Sequence, residues 1–299
     1  MGREERRVTP AVSELPARSA LPVIAVPARR WSPSPAKLAA TVLLGLLVWG
    51  GLAAGWLRPA GYAAQFRDAP AAAPSLRFPF GTDDLGRDLL ARALYGMRFS
   101  LVLSGAAALA ATAVAALAGI AAGYAGGALE HVLEMATSLL MALPWIFLLL
   151  LMRALLPLDL PPEQSAWVTF LLLALLGWAP SARVVAASAR SLRGSGFAFR
   201  ARAEGAGTWT LLCRHLLPNL RGLLWAQFLI LLPGFILSEA TLGFLGLGVA
   251  EPLPSWGALL RDLEDYSAVA EQPWRLAPLA LMFLTVLCLQ NLAPKEVTT

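Results

Sequence analysis

The chain has 299 residues and a net charge of +5 at pH 7, and 58% of its residues are hydrophobic while only 14% are charged. A soluble globular domain usually carries about 25% charged residues. The composition therefore argues against a soluble enzyme or binding domain and favours a protein that lies within a lipid bilayer.

The N-terminal segment is rich in Pro, Ser and Arg, and such a composition cannot bury a core. A secretory signal would have its apolar run near the start, so we expect the first apolar run to be retained as a membrane span. The predicted organisation is a disordered basic cytoplasmic tail (1–36), a first span (37–57), a periplasmic loop with an amphipathic helix (58–98), a core domain with five spans (99–294) that includes a cytoplasmic loop (188–221), and a short C-terminal tail (295–299).

Six charge-free apolar runs have nearly the length of a membrane-spanning helix. A helix rises 1.5 Å per residue and needs about 20 residues to cross a hydrocarbon core of about 30 Å. The runs lack the alternation of membrane strands, so the predicted fold class is an all-α membrane protein with six transmembrane helices. The predicted spans are 38–57, 99–123, 135–152, 166–182, 222–238 and 276–294.

Lys and Arg residues are distributed unevenly between the segments that connect these runs. Most of the 24 basic residues lie in the N-terminal tail, in the segment 183–221 and at the C-terminus. This distribution predicts that both termini are cytoplasmic. It also accounts for the positive net charge, which therefore does not indicate a nucleic-acid partner.

The loop before the second run contains clustered carboxylates. Asp83, Asp84 and Asp88 could suggest a cation site, because hard cations bind clustered carboxylate oxygens. We favour a helix N-terminus with Thr82 or Asp83 as its cap, since acidic residues are favourable there and Arg87 and Arg92 can pair with them locally. No metal site is predicted.

The cytoplasmic segment 183–221 resembles a helical hairpin. A hinge at 194–196 is followed by a helix-compatible stretch, a glycine stop at 205–207 and a second helix over 209–217 that Pro218 ends. On charge alone, this arginine-rich hairpin could equally be a solvated face.

Two acidic residues lie at the ends of charge-free apolar runs. Glu239 directly follows the fifth run and Glu134 directly precedes the third, and both are functional candidates, because an ionisable group at membrane depth is costly. Either could line a translocation path and attract a cationic solute terminus. The alternatives are that Glu239 is hydrated at the outer interface or pairs with a neighbouring subunit.

Neither covalent catalysis nor nucleotide binding by this chain is predicted. The glycine run 243–248 lacks the lysine and the preceding strand of a phosphate-binding loop, so we interpret it as a close helix approach or a helix break. His131 and His215 have no second ligand at metal spacing and no partner for nucleophilic catalysis.

Several motifs resemble a known family of transport proteins. The segments FPFGTDDLGRDLLARALYGMRFSL (78–101) and SEATLGFLGLGVAEPLPSWGALL (238–260) resemble the second permease subunit of the dipeptide, oligopeptide and nickel import family of ABC transporters. Gly205 and the pair Leu217–Pro218 fit the spacing of the cytoplasmic coupling-loop signature of such permeases. Phe199 stands where the signature has Glu, which puts the strength of the ATPase coupling in question.

The resemblance implies a type I ABC importer permease fold in the bacterial inner membrane. The implied partners are a homologous permease subunit, two ATP-binding subunits that hold ATP and Mg, a periplasmic solute-binding protein and the lipid bilayer. The residues implied in ATPase coupling are Arg200, Ala201, Arg202, Ala203, Glu204, Gly205, Ala206, Gly207, Leu217 and Pro218, and those implied in periplasmic docking are Asp83, Asp84, Arg87 and Trp256.

The predicted solute is a di- or oligopeptide, and a nickel or metal-chelate importer of the same family is the alternative. From other classes, a secondary carrier would be expected to show inverted repeats and more ionisable residues in its spans. A membrane scaffold would not need a coupling hairpin.

Overall fold

The computed structural model describes residues 35–157, 159–196, 207 and 210–293. Over these residues the chain is built from helices, and the predicted all-α fold class is confirmed. The helices are α1 (Pro35–Leu52), α2 (Ala54–Leu57), α3 (Leu89–Ala125), α4 (Gly127–Ala142), α5 (Trp145–Ala154), α6 (Pro162–Gly177), α7 (Ala179–Arg193), α8 (Leu217–Phe244), α9 (Trp256–Arg261), α10 (Tyr266–Glu271) and α11 (Ala277–Leu292).

Among the described residues, five helical segments are long and apolar enough to cross a membrane: Pro35–Leu52, Leu89–Ala125, Pro162–Arg193, Leu217–Phe244 and Pro273–Leu292. A sixth crossing is formed if α4 and α5 count as one span, although their axes are bent by 84°.

The prediction of one uninterrupted span over 135–152 is therefore wrong. Leu143 adopts an extended conformation with ψ of 142° before Pro144. A proline disfavours the helical conformation of the residue before it and provides no backbone N–H, so the helix breaks at this pair.

Helix α3 differs from the sequence prediction at its start. The cap is Asp88, whose side chain accepts hydrogen bonds from the backbone N–H groups of Leu90 and Ala91. Thr82 and Asp83 are not the cap, because Thr82 Oγ1 donates to the Ala69 carbonyl and Asp83 Oδ1 accepts from backbone N–H groups inside the preceding loop. From Leu89 the helix continues without a break into the predicted second span.

Pro218 does not end a helix. A π-helical turn over Leu211–Leu216 leads directly into α8, and Pro218 lies in the first turn of α8. Proline is tolerated there because the first N–H groups of a helix have no intrahelical acceptor. The predicted stop at Pro218 is corrected accordingly.

Two glycines let α3 approach α7 closely. A Cβ atom on Gly119 would lie 2.7 Å from the Ala182 carbonyl oxygen, and one on Gly123 would lie 2.9 Å from Ala189 Cβ. Small residues four apart allow helix backbones to pack tightly within a membrane. Helices α3 and α7 therefore pack as one closely joined pair.

The end of α8 is built around the glycine run noted in the sequence. Helix α8 ends at Phe244, Gly246 adopts a positive φ of 74°, and a Cβ on Gly257 would lie 2.7 Å from the Gly243 Cα atom. The expectation of a close approach and a helix break is confirmed. The turn that follows α8 and the short helix α9 pack against the loop before α3, and we call this end of the protein the loop face.

Candidate functional site

A cavity of about 770 Å³ opens on the loop face. It is bounded by the loop before α3, the last turn of α5, the first turn of α6, the turn after α8, and α9 with the loop that follows it. Its charged and polar lining residues are Asp83, Asp84, Arg87, Arg153, Ser165, Glu251, Arg261, Asp262, Glu264, Asp265 and Arg275.

A network of ion pairs joins three segments at one side of this cavity. Arg92 in α3 is 2% exposed, and its guanidinium lies 2.7 Å from Asp83, 3.2 Å from Glu251 and 3.2 Å from Asp262. Arg87 adds bonds of 2.6 Å to Asp83 and 3.3 Å to Glu251. Because the three carboxylates come from different loops, Arg92 fixes these loops to the start of α3.

Burial raises the pKa of Asp262, although the nearby Arg92 acts to lower it. A carboxyl whose pKa is raised on folding adds stability below its ordinary pKa and loses that contribution as pH rises through its folded-state value. In contrast, hydrogen bonds from the Ser267 side chain and the Ala268 backbone lower the pKa of Asp265. Its contribution therefore has the opposite sign and is lost as pH falls.

We expect Asp262→Asn to become more stable relative to the native chain as pH rises from about 4 to about 7, because asparagine does not lose a proton. Asp265→Asn is the matched control, and its relative stability should change in the opposite direction. The measurement is the unfolding midpoint of the purified protein at each pH. Parallel pH profiles for the two variants would contradict this assignment.

The predicted docking residues lie at the loop face but differ in accessibility. Asp84 is 70% exposed along its side chain and pairs with Arg275, while Asp83 and Arg87 belong to the buried network. Trp256 is 1% exposed, so its indole packs inside the chain. Asp84 is therefore the most accessible of the four, and docking of a partner at this face stays a prediction.

Glu239 lies in the interior of the chain. It is fully buried in α8, and its Oε2 accepts a hydrogen bond of 3.1 Å from Ser100 in α3. Its Oε1 lies beside Gly257 of α9 and has no hydrogen-bond partner among the described residues. In this structure Glu239 joins α3, α8 and α9 in the interior and not at the surface of the chain, while a role in the translocation path stays a prediction.

Glu134 lies in a separate cavity of about 360 Å³ between α4 and α7. It is 58% exposed along its side chain and lies 3.5 Å from Arg190, which also pairs with Glu130. Arg183 donates from Nε to Thr137 at 2.7 Å in the same region. The structure therefore does not bring the two predicted acids together in one site.

Most of the predicted coupling residues, Arg200 to Ala206, lie outside the described residues. Gly207 is exposed, and its carbonyl accepts a hydrogen bond from Leu211 at the start of the π-helical turn. Leu217 and Pro218 are exposed in the first turn of α8. The ends of α7 and α8 thus flank the predicted coupling segment.

Sequence reasoning missed Arg153, Glu251 and Asp262 as site residues and expected Arg92 to pair only locally. Its local partner Asp83 fits that expectation, but its other partners Glu251 and Asp262 are 159 and 170 positions away in the chain, so no local spacing indicates those two pairs. Arg153 directly follows an apolar run, so its position in the sequence indicates only a charge at the end of a span. A basic residue directly beside an apolar run was the one available signal.

The helices and the loop face define a multi-pass helical membrane protein. Residues 115–292 match the family described as the inner membrane component of binding-protein-dependent transport systems. The chain belongs to this family of ABC permease subunits, which are not themselves ATPases.

Three relatives extend the similarity over more of the chain. The oligopeptide transport system permease protein OppC of Haemophilus influenzae is 31% identical over 263 residues, which cover 87% of this chain and 82% of that protein. Proteins of the same name from Bacillus subtilis and Escherichia coli are 32% and 33% identical over 68% and 70% of this chain, and over 64% and 67% of their own lengths. The resemblance that the motifs indicated is confirmed.

Proposed function

We propose that this chain is a bacterial inner-membrane subunit of an ATP-driven importer and that, with a homologous permease, it forms the path for di- or oligopeptides. The observation that carries this proposal is the similarity to proteins named oligopeptide transport system permease over up to 87% of the chain. The apolar spans and the packed loop face are compatible with this role. Both termini would lie in the cytoplasm.

The proposed importer also contains two ATP-binding subunits and a periplasmic solute-binding protein. ATP and Mg would bind to the ATP-binding subunits, and we expect this chain to hold neither. The binding protein would deliver the solute at the loop face, where Asp84 is accessible.

Coupling would pass through the segment between α7 and α8, which the predicted coupling residues occupy. Helix α7 packs closely against α3 at Gly119 and Gly123, so the pair can move as one body when the segment is pushed. A displacement at the ATP-binding subunits would thereby reach α3. The N-terminal end of α3 carries Arg92, whose ion pairs hold the loops of the loop face. This connection gives the proposed alternating-access cycle a mechanical route.

The assembly can be tested by gentle solubilisation of native membranes that contain a tagged chain. We expect a second permease and ATP-binding subunits to be identified by mass spectrometry in the purified material. Recovery of the chain alone or as a homo-oligomer would contradict the importer and favour a carrier or a scaffold.

Transport can be tested with Gly205→Trp, which introduces a bulky side chain at the predicted bend of the coupling segment. We expect uptake of a labelled tripeptide into cells to fall by about tenfold or more, while the amount of protein in the membrane is unchanged. Gly45→Trp is the control, because a Cβ atom on Gly45 in α1 has no neighbour within 4 Å.

Equal uptake by the Gly205 and Gly45 variants would contradict a coupling role for the segment. Uptake of nickel without uptake of peptide by the native transporter would contradict the peptide assignment and point to the metal-chelate branch of the family.

A further inference from the structure

We propose that Arg153, Ser165 and Arg261 form a carboxylate-binding subsite in the loop-face cavity. The proposal rests on the proposed function only for the source of the carboxylate. That source is either the C-terminus of a peptide solute or an acidic side chain of the protein that delivers it.

Arg153 is a buried cation without a carboxylate partner. It lies in the last turn of α5, and its side chain is 2% exposed. Its guanidinium donates to the Pro157 carbonyl at 3.1 Å and to Ser165 Oγ at 3.1 Å, whereas its Nε has no hydrogen-bond partner among the described residues. Across the part of the chain that the structure describes, no carboxylate lies within ion-pair distance of this group.

The other buried arginines show how this chain ordinarily compensates such a charge. Arg92 and Arg275 are also buried, and both pair with carboxylates. An uncompensated buried charge is unfavourable, because the lost hydration is not replaced by an opposite charge. A guanidinium that is buried, lacks this compensation and lines a cavity is suited to an anion that enters from outside the chain.

A second cation, Arg261, lies beside the turn after α8, and Ser165 contacts the same turn. Ser165 Oγ accepts from Arg153 and donates to the Gly248 carbonyl at 3.0 Å. On the same turn, the Arg261 guanidinium lies 3.3 Å from the position that a Cβ of Gly246 would occupy. Arg261 is exposed and has no ion-pair partner among residues 35–157, 159–196 and 210–293, so a second guanidinium without a carboxylate partner lies beside the same glycine turn.

The acidic residues of the cavity do not compensate these two cations. Asp83 and Glu251 bind Arg87 and Arg92, Asp262 binds Arg92, and Asp84 binds Arg275. Glu264 and Asp265 also line the cavity, but neither lies within ion-pair distance of Arg153 or Arg261 in the described part of the chain. The positive charge without a carboxylate partner is therefore local to these two arginines.

A carboxylate fits this excess charge best. The planar guanidinium presents paired N–H donors that match the two oxygens of a carboxylate, and such charge-assisted bonds are short and strong. The cavity volume of about 770 Å³ lies within the range of small-molecule sites. The cavity is therefore large enough to hold the C-terminal end of a short peptide, and Arg153 is one of its lining residues.

The first test compares trialanine with trialaninamide, which lacks the terminal carboxylate. The full chain is purified in detergent, and its unfolding midpoint is titrated with each compound, because a ligand that binds the folded state raises the midpoint. We expect trialanine to raise the midpoint of the native chain and trialaninamide to have a much smaller effect. In Arg153→Met the apparent Kd for trialanine should rise by about tenfold or more.

Three further variants separate binding from folding. Arg153→Lys should retain part of the response because it keeps the charge, and Arg261→Met should weaken binding without disturbing a buried contact. Arg67→Met is the matched control, since Arg67 is exposed and lies outside the cavity lining. It should respond as the native chain does.

The second arm measures the affinity of the solute-free binding protein for the assembled transporter. A tenfold loss in Arg153→Met, together with no response of the native chain to trialanine, would assign the carboxylate to the binding protein. The subsite is overturned if trialaninamide acts like trialanine, if Arg153→Met responds like the native chain, or if neither arm shows an effect. Peptide uptake by cells with the native transporter tests the proposed function separately.

Discussion

Replacing Arg92 with methionine should destabilise the folded loop face by about 3–5 kcal/mol, because it removes the cation from a buried ion-pair network. The guanidinium of Arg92 contacts the carboxylates of Asp83, Glu251 and Asp262. Without it these three negative charges would lie close together, and among the described residues only Arg87 would still pair with any of them. Methionine has a similar length and remains apolar, so the lost charge dominates the effect.

The measurement is the unfolding midpoint of the purified chain, combined with protease cleavage of the loop 58–88 in membranes. Cleavage should increase in Arg92→Met, since the loop is no longer fixed to α3. Adding Asp83→Asn to this variant should recover part of the lost stability, because it removes one of the uncompensated charges.

The matched control is the ion pair between Arg77 and Asp68. Its two side chains are 58% and 63% exposed at a separation of 2.8 Å. Exposed pairs contribute little because water and salt screen them, so Asp68→Asn should leave the midpoint unchanged. If Arg92→Met behaved like this control, the network would not fix the loop face.

The architecture of the spans was largely predictable because the apolar content of each run exceeds what a soluble chain contains. The glycine run after α8 was also interpreted correctly, since glycine in an apolar context indicates either close approach or a break. The sequence could not identify Gly257 as the residue that Gly243 approaches. Tertiary packing alone determines that pair.

The errors have local physical causes that the apolar pattern does not record. The prediction for the third span followed hydropathy and overlooked Pro144, although proline restricts the residue before it. The sequence predicted a helix before the second span but did not indicate that the two form one continuous helix, because Arg92 and Arg98 interrupt the apolar run. Arg92 is nevertheless buried, because Asp83 and two acids more than 150 positions away neutralise it.

The sequence identified the segments that form the candidate sites, but it did not show which side chains contact one another there. Asp83, Asp84 and Arg87 were expected to interact with neighbours, and the structure adds Glu251 and Arg275 from distant loops. Arg153 could not be distinguished from a surface charge, since burial is a property of the folded chain. The role of the segment at Gly205 rests on family resemblance and is decided by the uptake experiment.

The second large effect is expected at the contact between α3 and α7, where Gly123→Ala should destabilise the protein by about 1–3 kcal/mol. The new Cβ would lie 2.9 Å from Ala189 Cβ and closer still to the Ala186 carbonyl oxygen. Both neighbours belong to the α7 helix and cannot rotate away, so the two helices must separate. This loss should exceed the roughly 1 kcal/mol that alanine gains over glycine in helix propensity.

Gly105→Ala provides the control within the same helix, because a Cβ on Gly105 would have no neighbour within 4 Å. It should therefore keep or slightly raise the unfolding midpoint, since only helix propensity changes. The midpoints of both variants are measured in one detergent, together with tripeptide uptake in cells. Gly123→Ala should lower both readouts, because the α3–α7 pair is the proposed mechanical link between the coupling segment and the loop face. A normal midpoint with normal uptake in Gly123→Ala would show that this close packing is dispensable for stability and coupling alike.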